Sequence, residues 1–193
     1  CSNDLQMVLA LLRLAAARCE HGDARDAMLE VANRVQILAA ARRNLAPGES
    51  LPVTHAVGAV CEALRAMAEP RGVSIALAMA PQVPVLADGG TMAAAIAVNE
   101  LATNAIKHAF ADHGGTVSIS VAALGSDLCT IIVEDDGTPF ITPPHYADRK
   151  HRGLGLDLAR RSLAAEGGML IAPRDGSKRF EIRLPARTAL SAA

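Results

Sequence analysis

The first group of residues that could carry chemistry together lies within the segment Asn99 to His108, whose apolar pattern is helical. On an α-helix Glu100, Asn104 and Lys107 stand four and three positions apart, so their side chains share one face. An amide oxygen suits Mg²⁺, an ammonium can contact a phosphate, and a carboxylate can hold or deprotonate a nucleophile. The set predicts a magnesium nucleotide site, although a solvated helix face has a similar composition.

A second group follows a predicted strand, where Val133 precedes Glu134, Asp135, Asp136 and Gly137. A carboxylate at a strand end can accept a hydrogen bond from an adenine amino group, and a glycine lets the base approach the backbone. The same residues are also typical of an ordinary turn.

A third group, Gly153-Leu154-Gly155, opens a segment of helical pattern. Backbone N–H groups at a helix start can face a phosphate, and the helix dipole favours an anion there. Two such glycines are a weak signal alone, because glycines also end loops.

Hydrophobic periodicity predicts the helices and strands that must position these groups. We expect helices at residues 53–68, 91–109 and 154–165 and strands at residues 73–77, 85–87, 116–121, 128–133, 169–172 and 179–184. Helices segregated against a mixed sheet with hairpins indicate an α+β domain.

The first 45 residues have a different pattern, with apolar side chains at alternating steps of three and four. A Gly-Asp pair at residues 22–23 separates two such segments, so we predict a helical hairpin. The two seams contain Leu5, Val8, Leu12, Ala15 and Cys19, then Met28, Val31, Val35, Leu38 and Leu45, with Arg42 at the one position where the second series is broken. A further stripe, Leu9, Leu11 and Leu14, exceeds what one partner helix can cover. This favours a homodimer through residues 1–45 as a four-helix bundle over a hairpin packed on its own domain.

Two prolines and a glycine within residues 46–52 mark a linker. We therefore predict two domains, residues 1–47 and residues 48–193.

Composition narrows the possible partners of the 193-residue chain. Hydrophobic residues make up 51% and aromatic residues 2%, which favours a helix-rich interior filled by small and aliphatic side chains. The 19 basic residues balance 20 acidic ones, so we expect no nucleic-acid partner. The four dispersed cysteines indicate reduced thiols, and no apolar run is long enough to cross a membrane. We expect a cytoplasmic location without membrane contact.

In this order the three groups resemble the GHKL ATPase fold shared by gyrase, the heat-shock chaperone ATPases, histidine kinases and MutL. Within that superfamily, Asn-Glu-Leu-x-Thr-Asn-Ala-x-Lys-His-Ala-Phe at residues 99–110 is similar to the HWE/HisKA-related sensor histidine kinases. Their hairpin carries His-Arg-x-x-Asn-x-Leu-Gln, and Asn3-Asp4-Leu5-Gln6 matches its latter half. The resemblance implies a dimerising helical hairpin followed by an α/β sandwich with a mixed sheet.

The resemblance also implies ATP and Mg²⁺ as cofactors, with a phosphate side on the helix from residue 91. Asn104 would coordinate Mg²⁺, and Asn99, Lys107 and His108 would lie near the phosphates. Glu100 matches the acid that activates water in the chaperone and gyrase branches, and in kinases it would orient the incoming histidine. Glu100, Lys107 and His108 form the expected catalytic set.

The adenine side would be formed by the second and third groups. Asp135 would receive the adenine amino group, and Gly137 would shape the pocket. Gly153, Leu154 and Gly155 would bind the nucleotide beside a mobile lid at about residues 138–152.

The implied function is a sensor histidine kinase core, which transfers the ATP γ-phosphoryl group to a histidine and then to an aspartate of a response-regulator receiver domain. Two departures leave an alternative open. Pro139 replaces the last glycine of the Asp-x-Gly-x-Gly box, and the accepting histidine would fall before Cys1, so we expect no self-phosphorylation of this chain alone. The alternative is a pseudo-kinase, a dimeric phosphotransfer or phosphatase scaffold without ATP turnover. An ATP-driven clamp is disfavoured by the hairpin and the short lid.

Overall fold

The computed structural model describes residues 50–110, 113–138, 154–173 and 177–187, together with Ala32 and Val35. The chain divides into two compact units, Cys1–Leu51 and Pro52–Ala193. In the first unit Ala32 and Val35 are helical, and the side chain of Ala32 is buried. The other residues of the predicted hairpin lie outside the described residues, as do Pro139, Gly153 and most of the expected lid.

The described part of the second unit consists of three α-helices and five β-strands. The helices are α1 (Val53–Ala68), α2 (Asp88–His108) and α3 (Leu154–Ala165). The strands are β1 (Val73–Met79), β2 (Gly115–Leu124), β3 (Leu128–Asp135), β4 (Met169–Ile171) and β5 (Phe180–Pro185). A 3-10 turn at Glu69–Arg71 connects α1 to β1.

The strands form one mixed sheet in the order β1-β2-β3-β5-β4. β1 pairs with β2 in parallel, as expected for strands joined through a helix, and the remaining neighbours are antiparallel. The register pairs Val117 with Asp135 and Val133 with Phe180. This sheet confirms the predicted α+β class and places β3 at its centre.

The helices cover one face of the sheet. α2 contacts β2, β3 and β5 and packs between α1 and α3. Alternate residues of β2, Val117, Ile119 and Val121, are buried. Ser74 and Thr116, whose hydroxyls lie 3.1 Å apart, are more exposed. The unit is therefore a two-layer α/β sandwich with a polar outer sheet surface.

A short polar network lies along β3 and β5. Glu181 accepts hydrogen bonds from Arg183 Nε at 2.7 Å and from Thr130 Oγ1 at 3.3 Å. The bond from Arg183 is the main cause that lowers the pKa of Glu181. The bond from Thr130 joins β3 to β5 on the outer side of the sheet, and the bond from Arg183 lies within β5.

α2 can sit close to the sheet because small side chains fill its buried surface. Its buried alanines are Ala93, Ala94, Ala95, Ala97, Ala102 and Ala105. This packing accounts for a core almost without aromatic residues.

Two cysteines belong to this core. Cys61 in α1 and Cys129 in β3 are free thiols with 0% exposure. Burial raises the pKa of each thiol to about 11, so both stay neutral at physiological pH. The interpretation as reduced apolar residues is confirmed for these two, whereas Cys1 and Cys19 lie outside the described residues.

One predicted strand, at residues 85–87, is wrong. The segment is irregular, and its ladder-like contact is a single bond from Arg187 N to Val85 O at 2.7 Å. Leu86 is buried, and it lies beside Gly90 in the first turn of α2, which begins three residues earlier than predicted. The apolar side chain of Leu86, which is buried against the first turn of α2, gave this segment a pattern similar to that of a buried strand.

Candidate functional site

The first predicted group spans a gradient of exposure along α2. Asn99 and Glu100 are 3% and 2% exposed, whereas Asn104, Lys107 and His108 are exposed. A merely solvated face would expose Glu100 as well. The helix therefore presents a buried acid and amide at one level and three accessible polar side chains one to two turns further on.

Asn99 and Glu100 also contact each other. Asn99 Nδ2 donates a hydrogen bond to Glu100 Oε1 at 3.3 Å. Within the described ranges, Asn99 Oδ1 is buried and receives no hydrogen bond, and the same holds for Thr103 Oγ1 one turn later. Buried acceptors without a donor cost about 1 to 3 kcal/mol each. Such groups are typical of positions that a water or ligand completes.

The consecutive carboxylates at the end of β3 have separate surroundings. Asp136 Oδ1 accepts from Thr116 N at 2.7 Å, and Asp136 N donates to Thr116 O at 3.2 Å. These contacts extend the pairing of β2 and β3, so Asp136 stabilises the sheet end. Asp135 Oδ1 instead accepts from Lys178 Nζ at 2.6 Å and from Gly137 N at 3.1 Å.

The residues after β3 dock on the C-terminal end of α2. Thr138 N donates to Ala109 O at 2.9 Å. A Cβ at Gly137 would lie 2.3 Å from Ala109 O, so this close approach requires glycine. The structure thus places residues 135–138, called here the Asp135 segment, beside the end of α2 that carries Lys107 and His108.

The third group is described in part. α3 begins at Leu154, as predicted, and packs against α2. Gly155 is buried in its first turn.

Sequence reasoning missed Lys178. Its side chain and that of Asp135 are each 11% exposed, and they form an ion pair. The signal lies in strand register. Val133 pairs with Phe180, so the antiparallel count places Asp135 opposite Lys178. Local patterns place Lys178 in a loop before β5.

The donor set fits a nucleotide with a hard cation. No group of three or more His, Cys, Asp or Glu in the described part of the chain could hold a metal ion by itself. Asn104 offers one accessible amide oxygen, which suits Mg²⁺ carried mainly by phosphate oxygens and water. Asp135, at the end of β3, offers a carboxylate that can accept a hydrogen bond from a nucleotide base.

Comparison with known families gives two matches. Residues 90–188 match the family described as histidine kinase-, DNA gyrase B- and HSP90-like ATPase, and residues 1–68 match the family described as histidine kinase. The sensor histidine kinase PdtaS of Mycobacterium tuberculosis is 28% identical over 190 residues, covering 92% of this chain and 35% of that protein. The chain thus spans about a third of the length of this relative. No described helix is long and apolar enough to traverse a membrane.

Two solved structures have a similar fold. The histidine kinase domain of the blue-light activated histidine kinase EL346 from Erythrobacter litoralis has a TM-score of 0.68 and 17% identity, covering 94% of this chain and 84% of that one. Full-length ShkA, crystallised in complex with AMPPNP, has a TM-score of 0.58 and 23% identity, covering 99% of this chain and 44% of that one. At these identities the likeness shows a common fold.

Proposed function

The chain belongs to the bacterial sensor histidine kinase family, of the HWE-type branch, and from this premise we propose that it forms a kinase core that phosphorylates a histidine with ATP and passes the phosphoryl group to a response-regulator aspartate. One observation carries the proposal. Through Gly137, the segment holding the nearly buried Asp135 carboxylate docks on the end of α2 that presents Lys107 and His108.

On the phosphate side, we assign Mg²⁺ coordination to Asn104 and phosphate contacts to Lys107 and His108, with Asn99 at the buried inner level. The exposure of the first three side chains leaves them accessible to a ligand. Bound Mg²⁺ would neutralise charge on the phosphates during transfer. The ShkA complex with AMPPNP supports a nucleotide in a protein of this fold.

On the base side, we assign the adenine amino group to Asp135 and the pocket wall to Gly137. Leu154 and Gly155, at the start of α3, and Gly153, which precedes them in the sequence, are assigned to binding the nucleotide beside the lid. Family membership and the positions of Asp135 and of the start of α3 support these assignments.

In the transfer step, an imidazole nitrogen of the accepting histidine attacks the γ-phosphorus, and the bond from that phosphorus to the bridging oxygen breaks to release ADP. We assign Glu100 to orienting the attacking imidazole and accepting its proton. Its 2% exposure and its hydrogen bond from Asn99 hold the carboxylate in place. The phosphoryl group then passes to the aspartate of a receiver domain.

The proposal includes a homodimer formed through residues 1–45, a cytoplasmic location, and no nucleic-acid or membrane partner for these residues. The scaffold alternative, a pseudo-kinase, remains the second candidate because Pro139 removes a backbone donor and fixes φ where the family has a glycine.

Calorimetric titration with ADP and Mg²⁺ separates the two candidates. We expect binding that Asp135→Asn and Asn104→Ala each weaken by about 1 to 3 kcal/mol, since each removes a charged hydrogen bond or a metal ligand. Asp136→Asn is the matched control. It removes the same charge from the neighbouring position but keeps an oxygen for Thr116 N, so affinity should change less than about threefold. Absence of binding at millimolar ADP would transfer the assignment to the scaffold.

A further inference from the structure

Lys178, which lies just before β5, is unusually buried for a lysine and forms an ion pair with Asp135. Its Nζ lies 2.6 Å from Asp135 Oδ1, and both side chains are only 11% exposed. Lysine is almost never buried without a partner, because removing an ammonium from water is costly. Lys178 lies two residues before β5, where the register of the two strands, continued past Val133 and Phe180, brings it opposite Asp135 of β3.

The hydrogen-bonding capacity of this pair is only partly used. A carboxylate oxygen has two lone pairs, and Oδ1 of Asp135 already accepts from Lys178 and from Gly137 N. Among the described residues, nothing donates to Oδ2. The ammonium has three N–H groups, and its contact with Asp135 is the one it makes within the described part of the chain. An open acceptor therefore lies next to a donor with spare hydrogens, both nearly out of water.

This arrangement matches one edge of a purine. Adenine presents its 6-amino donor beside the N1 acceptor, whereas guanine presents an acceptor at position 6 beside an N1–H donor. We propose that Lys178 and Asp135 read adenine as a pair: Asp135 Oδ2 accepts from the 6-amino group, and Lys178 Nζ donates to N1. The inference rests on the proposed nucleotide function and adds Lys178 as a residue that determines base specificity.

A buried donor that hydrogen-bonds to an acceptor of one ligand stays unpaired when an analogue without that acceptor binds. The unpaired donor lowers the affinity for the analogue, so the site discriminates strongly between the two ligands. The informative analogue is 1-deaza-ADP, in which N1 is replaced by C–H and the 6-amino group is kept. It tests the lysine contact separately from the aspartate contact.

The experiment is calorimetry with Mg²⁺ and either ADP or 1-deaza-ADP on the full chain. For the unmodified protein we expect about tenfold weaker binding of the analogue. Lys178→Met, which keeps the length of the side chain without its charge, should bind ADP about tenfold more weakly and bind both ligands equally. The control Arg179→Met removes a neighbouring charge from an exposed position and should keep the tenfold preference. Thermal unfolding verifies that both variants fold.

The inference alone is overturned by an unmodified protein that binds ADP without preferring it to the analogue, or by a Lys178→Met variant that retains the preference. Tighter ADP binding by Lys178→Met also overturns it, because the ammonium would then compete with adenine for Asp135. If the unmodified protein and the variants all fail to bind ADP, the proposed nucleotide function falls together with the inference.

Discussion

Asp135 and Asp136 are neighbours on the chain, yet their carboxylates serve different parts of the molecule. Asp136 completes the pairing between β2 and β3 through Thr116, while Asp135 meets Lys178 and Gly137. The sequence singled out Asp135 through its resemblance to a family motif. The role of Asp136 depends on where β2 begins relative to the end of β3, which no local pattern shows.

At the residue scale, Glu100 gives a prediction about chemistry as opposed to binding. Glu100→Gln keeps an oxygen for Asn99 Nδ2 but loses the charge that would accept a proton. We expect ADP affinity within about threefold of the unmodified protein and phosphoryl transfer from labelled ATP lower by about 10² to 10⁴-fold. Transfer is measured in a chain that includes the accepting histidine.

Glu134→Gln is the control for this change, because Glu134 is an exposed acid on β3. It should leave both binding and transfer unchanged. Equal loss of ADP affinity and transfer in Glu100→Gln would contradict a role confined to the reaction.

Among the elements, the contact between α2 and the residues after β3 depends on a glycine, Gly137, which has no side chain to prevent the close approach. In Gly137→Ala the new Cβ would meet Ala109 O at 2.3 Å, so the segment must move and the bond from Thr138 N must weaken. We expect a loss of about 1 to 3 kcal/mol in the free energy of unfolding, measured by urea titration, with weaker ADP binding.

Gly58→Ala provides the opposite outcome in the same assay. Gly58 lies inside α1, and a Cβ there would meet nothing within 4 Å. Its substitution should raise the free energy of unfolding by about 0.5 to 1 kcal/mol. An unchanged urea midpoint in Gly137→Ala would refute the close approach.

The predicted elements succeed where amphipathic periodicity is long and regular. α1 and α3 have the predicted bounds because each carries a clear apolar stripe. The start of α2 was missed because Gly89 and Gly90 read as loop residues, whereas Gly90 packs against Leu86 in the folded chain. Lys178 was missed because its partner Asp135 lies 43 positions away, and only the strand register brings the two residues together.

At the scale of the whole molecule, the first unit gives a prediction about assembly. The two heptad seams and the Leu9, Leu11 and Leu14 stripe, all outside the described residues except Val35, are predicted to exceed what one hairpin can bury. Light scattering should give twice the 20.0 kDa chain mass and a single chain's mass after deletion of residues 1–47. A full chain that stays monomeric at high concentration would contradict the dimer.

We propose that an adenine nucleotide binds where the end of α2 meets the Asp135 segment and Lys178. Hydrogen–deuterium exchange with and without ADP and Mg²⁺ locates such a ligand along the backbone. We predict slower exchange at residues 104–110, 135–138 and 177–180, with α1 and β1 as internal references that change little. If saturating ADP leaves those three segments unchanged, or protects α1 and β1 instead, the nucleotide does not bind at this site.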